Sequence, residues 1–449
     1  MSRSQGNVIW IFGDQHRAQA LSGAGDPNVN TPNIDRLGEE GVWFDRAVCG
    51  FPLCCPFRGS LVTSRYPHEC VPGHEYPLDP AMPTIANAFS AAGYETAYFG
   101  KWHLDGFHEA DGRAALHIVP RGRRGGFDTW LGYDNNNSQW DSYVHGHRAD
   151  GSDVDLYRLP GYETDSLTDL LIEFIRAKGE EAQSGSDVGF FAVLSVQPPH
   201  DPYLAPAQYM ARHNPALLRM RPNVPDVPRI QETARHHLAG AYAQIENLDD
   251  NVGRIRAALA EAGIDRDTCL LFFSDHGDMH GSHGHFLKTS PWEESIRIPF
   301  VIGGPPVSYY GHRRGRVPHL LTHVDIAPTT LGLCGLDPPD WMRGRDLSGL
   351  YRADRPVPEP PDSAFLQLVV PTMHGNSIDR PWRGIVTDDG WKYAVLEGQP
   401  WLMFNLNEDP YEHVNLAHNL IYADRRRRCH ERLARWIAET GDEFALPAV

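Results

Sequence analysis

Two adjacent cysteines stand ahead of a proline and an arginine in FPLCCPFRGSLVTSR, residues 51–65. Such a pair admits four chemistries: paired metal ligands, a redox couple, buried apolar filling, or a nucleophilic thiol. Partners elsewhere in the chain must decide between them. Candidates stand where apolar runs end. VIWIFGD closes on Asp14 and is followed by Gln15, and YFG leads into Lys101-Trp102-His103. FFAVLSV runs into Gln197-Pro198-Pro199-His200, and LLFFSD ends on Asp275, with His276-Gly277-Asp278 beyond it. Carboxylate and imidazole groups can hold a divalent cation, and Lys or Arg beside it can neutralise an anion. Singly, each residue has an ordinary explanation. Asp14 reads as a turn or cap residue, His103 and His200 as core-edge histidines, and Cys54-Cys55 as small buried hydrophobes. DHGDMHGSHGH, in the same way, reads as a polar tract. The coincidence of four such strand ends favours an active site, with Cys54 to Arg58 completing an anion pocket that contains a metal.

These groups need elements to position them. The apolar runs NVIWIFGD, YETAYFG, GFFAVLSV and CLLFFSD read as strands, and IRIPFVIGG continues the series. Helix-like stretches alternate with them. TPNIDRLGEEG has Thr31 as N-cap and Pro32 at its first position, MPTIANAFSAAG stops at Gly93, and DLLIEFIRAKGEEA and ENLDDNVGRIRAALAEAG follow. The alternation predicts an α/β domain with a large, mostly parallel mixed sheet flanked by helices. In such sheets ligands bind beyond the carboxyl ends of the strands, where the polar groups collect. After about Asp354 the texture changes. RPVPEPPDS reads as a linker, RGIVTDDGWKYAVLEG and PWLMFNLNEDP as short strands joined by tight turns, and RRRRCHERLARWIAETG as a helix with a solvated basic face. The expected organisation is a catalytic domain over 1–355 and a C-terminal subdomain over 366–449, a small antiparallel sheet with a helix. GRAALHIVPRGRRGGFDTW and NNNSQWDSYVHGHRADGSD read as surface insertions.

Composition sets the outer bounds. The chain has 449 residues and a formal net charge of −17, which argues against nucleic acid or an anionic membrane as partner. Seven cysteines, mostly far apart, are no disulfide framework and fit a reducing compartment. No run approaches the roughly 20 apolar residues of a membrane span, and no signal peptide is visible, so the expected address is the cytoplasm. A homo-oligomer is compatible with the sequence.

FPLCCPFRGSLVTSR resembles the signature of type I, formylglycine-dependent sulfatases of the alkaline phosphatase superfamily: Cys-x-Pro-x-Arg with a downstream Leu-x-Thr-x-Arg. The matching residues are Cys54, Pro56, Arg58, Leu61, Thr63 and Arg65; Phe57 replaces the usual Ser and Ser64 the usual Gly. GKWHLDG, QPPHDPY, SDHGDMHGSHGHFLKTSPWEESIRIPFVI and NLNEDPYEHVNLA resemble further family segments in family order. The resemblance implies an alkaline-phosphatase-like fold and hydrolysis of a small-molecule or saccharide sulfate ester. It further implies that a formylglycine-generating enzyme oxidises Cys54, with Cys55 as the variable residue.

The same resemblance assigns one divalent metal to Asp14, Gln15, Asp275 and His276 plus an oxygen of modified Cys54. Ca²⁺ is expected first, while Gln15 and His276, where relatives often carry Asp and Asn, admit Mn²⁺ or Mg²⁺. The hydrated formylglycine attacks sulfur through one hydroxyl and later expels sulfate through the other. Arg58 and Lys101 are implied to stabilise the diol and sulfate oxygens, and His103 to act as base on the hemiacetal. His200 and Lys288 face the leaving oxygen, with His200 as general acid. The nearest rival is a phosphonate monoester hydrolase or phosphodiesterase, which Gln15 and His276 favour and GKWHLDG opposes. A second is a ligand-binding protein whose Cys54 stays unmodified, which the intact residue set opposes.

Overall fold

The computed structural model describes residues 6–304, 311–376 and 378–448. The first half runs β1 (Asn7–Gly13), α1 (Pro32–Glu40), β2 (Val42–Val48), α2 (Cys54–Thr63), α3 (Ile85–Ala91), β3 (Glu95–Lys101), β4 (Thr129–Tyr133), β5 (Tyr143–His147), β6 (Asp153–Arg158) and α4 (Glu163–Gln183). Then follow β7 (Phe190–Ser195), α5 (Ala207–Met210), α6 (Pro228–Glu261), β8 (Thr268–Ser274), α7 (Glu293–Ile296), β9 (Phe300–Gly303), β10 (Gly315–Thr322) and α8 (His323–Leu333). The C-terminal part holds β11 (Ser363–Leu368), β12 (Trp382–Thr387), β13 (Trp391–Leu396), β14 (Gln399–Asn405) and α9 (Ala423–Thr440).

Ten strands make one sheet in the order β10-β2-β9-β8-β1-β7-β3-β4-β5-β6. The run β8-β1-β7-β3-β4 is parallel throughout, and β9, β5 and β6 are antiparallel to their neighbours. The expected large mixed sheet is therefore present. Strands β1, β7 and β8 are buried at every position because helices cover both faces, which is why each reads as a continuous apolar run. Within β1, Val8, Trp10 and Phe12 enter one apolar layer, while Ile9 and Ile11 enter the layer on the other face.

The pairing register fixes where the polar endings meet. Gly13 lies opposite Ser274, and Ser195 opposite both Phe12 and Gly100. Gly100, at φ +108°, allows a close strand approach: a Cβ there would stand 2.0 Å from the Ser195 carbonyl oxygen. Four parallel strands thus end side by side on one edge of the sheet.

β11 to β14 form a four-stranded antiparallel meander, and α9 covers one face with Cys429 and Leu433 packed against Phe365, Tyr393 and Val395. The meander starts at Ser363, the last residue of the stretch read as a Pro-rich linker. It is fastened to the large sheet's side by the buried Lys392 ammonium, 2.6 Å from Glu412 and 2.7 Å from Glu293 at the start of α7. Two segments read as insertions contain strands instead: β4 to β6 lie in or beside them and extend the main sheet. Gly, His and exposed polar residues dilute their apolar pattern, so pairing rather than composition makes them strands. Among the described residues, no helix is long and apolar enough to cross a membrane.

Candidate active site

Cys54 is the first residue of α2, a helix buried along its whole length. Its side chain therefore sits at the positive end of the helix dipole, where an anion is stabilised. Pro56 falls in the first turn, where a missing N–H costs no intrahelical bond. Arg58, four residues on, projects on the same face as Cys54. Ser64 closes the helix at φ +51°, in the left-handed region where the family usually has Gly. Its hydroxyl, bonded to the Val324 carbonyl at 2.6 Å and to the Gly344 N–H at 3.0 Å, helps hold that turn.

The strand-end groups converge on Cys54. Its Sγ lies 3.4 Å from Asp14 Oδ1 and 3.1 Å from His276 Nε2. Asp14 Oδ2 accepts from Lys101 Nζ at 2.7 Å and from Arg58 Nη2 at 3.2 Å. Arg58 Nη2 also reaches Asp275 Oδ2 at 3.3 Å, while Nη1 donates to the Lys101 carbonyl and to Ser195 Oγ, both at 2.8 Å. Asp275 Oδ1 accepts the Gln15 and His276 backbone N–H groups at 3.0 and 2.8 Å. His276 Nδ1 donates to the Gly277 carbonyl at 3.0 Å, which turns Nε2 toward the cluster.

A second group faces it. Lys288 Nζ donates to Gln15 Oε1 at 2.5 Å and lies 2.7 Å from His200 Nε2. His200 Nδ1 donates to the Asp201 carbonyl at 2.8 Å, so Nε2 accepts from the ammonium. Gln15 Nε2 donates to Asp278 Oδ2 at 2.6 Å. His103, only 4% exposed, has both ring nitrogens buried and turns its ring toward the Cys54 side chain. Gln15 and His103 have φ of +70° and +56°, strained backbone that aims both side chains at a cost of about 1–3 kcal/mol each.

The electrostatics are those of a cation site beside an anion site. Burial opposes ionisation of Asp14, yet Lys101, His200 and Arg58 hold its carboxyl far below the ordinary range. Burial and the Asp14 charge push Asp275 up to about 6. Burial opposes the charge on His276, but Asp275 beside it raises it to about 9. Burial disfavours the Cys54 thiolate, and Lys288, Lys101 and His276 outweigh that, so the thiol falls well below its usual value. A carboxyl pushed up and an imidazole that keeps a proton beside it, both for want of positive charge, fit a bound cation. Asp14, Cys54, Asp275 and His276 each offer a donor atom, all within 4.8 Å of one another.

The structure thus gathers Asp14, Cys54, Arg58, Lys101, Asp275 and His276 at one point and sets His200 and Lys288 beside it. Gln15, expected as a ligand, has its amide oxygen engaged by Lys288. Four residues near the site were given no role by the sequence reading. Asp278 and Tyr203 anchor the Gln15 amide at 2.6 and 3.2 Å, and both lay within quoted segments. His74 stacks edge-on against His103, and His374, from the loop between β11 and β12, packs against His74 in turn. Neither carried a signal, since one lies in an irregular loop and the other is supplied by the C-terminal sheet.

This edge of a parallel sheet, with paired carboxylates, buried cations and a side chain at a helix N-terminus, defines a hydrolase of anionic esters. Residues 6–336 match the family model Sulfatase, and 281–439 match that of the N-sulphoglucosamine sulphohydrolase C-terminal region. The chain belongs to the sulfatase family, and its activity class is sulfatase. An ulvan-active sulfatase of Formosa agariphila is 33% identical over 98% of this chain and 82% of its own length. The structure of the sulfatase-assigned protein yidJ of Bacteroides fragilis has a TM-score of 0.85 and 25% identity, covering 99% of this chain and 97% of its own. The phosphonate monoester hydrolase of Agrobacterium radiobacter shares the fold, with a TM-score of 0.74, 24% identity and coverage of 97% and 96%.

Proposed function

We propose that the protein hydrolyses a sulfate monoester carried on a saccharide, using a formylglycine made from Cys54 and one divalent cation. The observation that carries this reading is the placing of Cys54 Sγ, where the formylglycine oxygens would sit, within 3.4 Å of both Asp14 and His276. Asp14, Asp275, His276 and modified Cys54 would hold the cation, with Gln15 as a further ligand if its amide turns from Lys288. Two carboxylates suit Ca²⁺, and the imidazole admits Mn²⁺ or Mg²⁺. A bound cation supplies charge for the sulfate oxygens and acidity for the adjacent hydroxyl. A formylglycine supplies a hydrated aldehyde, whose second hydroxyl permits sulfate release where a thiol or serine would stall.

The chain's own residues do the rest. Arg58 holds both carboxylates apart and in place, and Lys101 and Lys288 present ammonium groups to the sulfate oxygens. Burial and Lys101 lower His103 to about 3, so its imidazole stays neutral and can take a proton from the diol carbon's second hydroxyl. Because Lys288 donates to His200, the two act as one unit that passes a proton to the leaving alcohol oxygen. The saccharide class is supported by the name of the Formosa agariphila relative, and His74 and His374 add ring faces near the site.

A phosphonate monoester or phosphodiester substrate is the second reading, favoured by Gln15 and by the imidazole donor His276. Steady-state rates on an aryl sulfate and an aryl phosphonate decide between them. A higher kcat/KM on the sulfate is expected, and a much higher value on the phosphonate overturns the choice. Mass spectrometry of the tryptic peptide containing Cys54 tests maturation, since full turnover with an unmodified thiol would sink the formylglycine mechanism.

A further inference from the structure

Cys55, fully buried next to the nucleophile position, has partners of its own. Its Sγ lies 4.0 Å from His74 Nδ1 and accepts the backbone N–H of Glu75 at 3.4 Å. The other ring nitrogen of His74 faces Glu75 Oε1 at 3.8 Å. Glu75 is itself fixed by His108 Nδ1 at 2.8 Å and by the Glu109 N–H at 3.0 Å. Beyond His74 stands His103, ring centroids 5.8 Å apart, its buried ring lying between His74 and the Cys54 side chain. Donor atoms of Cys55, His74 and His103 all lie within 4.8 Å of one another.

This is a soft donor set without a carboxylate, unlike the oxygen-rich cluster at Asp14 and Asp275. Zinc bonds of about 2.0–2.3 Å at tetrahedral angles put sulfur and nitrogen donors roughly 3.5 Å apart, so Cys55 and His74 need to close by about half an ångström and the widest pair by no more than about 1.3 Å. Burial and Cys54 push the free Cys55 thiol up against the pull of the Glu75 N–H, so only a bound cation would displace its proton, and a carboxylate behind a ligating imidazole is the usual outer support of a metal site. Three protein ligands would leave a fourth position for water.

We propose that Cys55, His74 and His103 form a second metal site that takes Zn²⁺ and silences the enzyme. On binding, the Cys55 thiol releases its proton to solvent as the Zn–S bond forms, and each imidazole donates a lone pair. The lone pair taken from His103 is the one that the proposed mechanism uses as base. Inhibition therefore rests on that mechanism, whereas binding does not.

Two arms of one experiment keep these apart. In the Cys54→Ser protein, Co²⁺ replaces zinc as an absorbing probe, and a thiolate-to-cobalt charge-transfer band is expected in the near ultraviolet. The band should vanish on adding Cys55→Ser and weaken on adding His74→Gln, a change at a partly exposed side chain. Identical spectra in all three proteins overturn the site. In matured enzyme with its catalytic cation supplied, Zn²⁺ should inhibit, and His74→Gln should raise the inhibitory concentration at least about tenfold. Cobalt binding at Cys55 without any shift in zinc inhibition would overturn the silencing and, by retaining the site, point to the role given to His103. Zinc inhibition with no Cys55-dependent band would place zinc at the Asp14 cluster and overturn the second site.

Discussion

Arg58 shows how one side chain can hold a site together. Its two terminal nitrogens join Asp14, Asp275, Ser195 and the Lys101 carbonyl, all buried. Arg58→Met leaves two carboxylates facing one another, and in metal-free protein it should cost about 3–5 kcal/mol, read by urea denaturation. Lys101 contributes charge more than scaffolding, so Lys101→Met should cut kcat about 10²–10³-fold in matured enzyme. The same variant carries a pH signature. Burial and then Lys101 depress His103, and the neutral base is lost as pH falls through its pKa. Removing the ammonium raises that pKa, so any acid limb of kcat due to His103 should move to higher pH. An unmoved acid limb in Lys101→Met would argue that another group titrates there.

Elements bring residues together that are remote in the chain. Thr31 was expected to cap α1, but its hydroxyl donates to Asp35 and makes no bond to the helix's first N–H groups. Asp249 on α6 caps α1 instead, accepting the Asn33 N–H at 3.0 Å and the Ile34 N–H at 2.8 Å. Asp249→Ala should therefore cost about 1–2 kcal/mol in thermal or chemical unfolding, although it lies far from α1 in sequence. A local motif predicted that the helix starts at Pro32, but not which group satisfies its end. Strands show the same division. β1, β3, β7 and β8 were legible because strands buried on both faces are almost purely apolar. β2 carries Asp45 and Arg46 half-buried at its middle, and β6 is mostly exposed, so neither announces itself.

At the scale of the whole molecule, the C-terminal sheet lends a loop residue, His374, to the neighbourhood of the large sheet's site, where it packs against His74. The C-terminal unit is closed by Asp442, beyond α9, whose carboxylate pairs with Arg383 on β12, each side chain 3% exposed. Burial opposes the Asp442 charge, but bonding to Arg383 holds its carboxyl below the ordinary 3.8. For an acid so depressed, the stabilisation is present above that value and lost as pH falls through the folded pKa. The melting-point gap between wild type and Asp442→Asn should thus be widest near neutral pH and shrink below about pH 4. Because the loop from this unit carries His374 to the site, loosening it should also weaken substrate binding, read as a rise in KM.

The sequence by itself determined the strands that hold the site, the place of Cys54 beside their ends and most of the charged groups around it. It could do so because buried parallel strands are continuous apolar runs, and the polar groups at their ends interrupt that pattern visibly. Only the tertiary structure decided that Lys288 binds the Gln15 amide, that Asp278 and Tyr203 fix that amide, and that His374 comes from the far end of the chain. It also decided the environment of Cys55, read from the sequence as a spacer. Its neighbours His74 and His103 stand on separate loops, and no local spacing records a contact that chain folding alone creates.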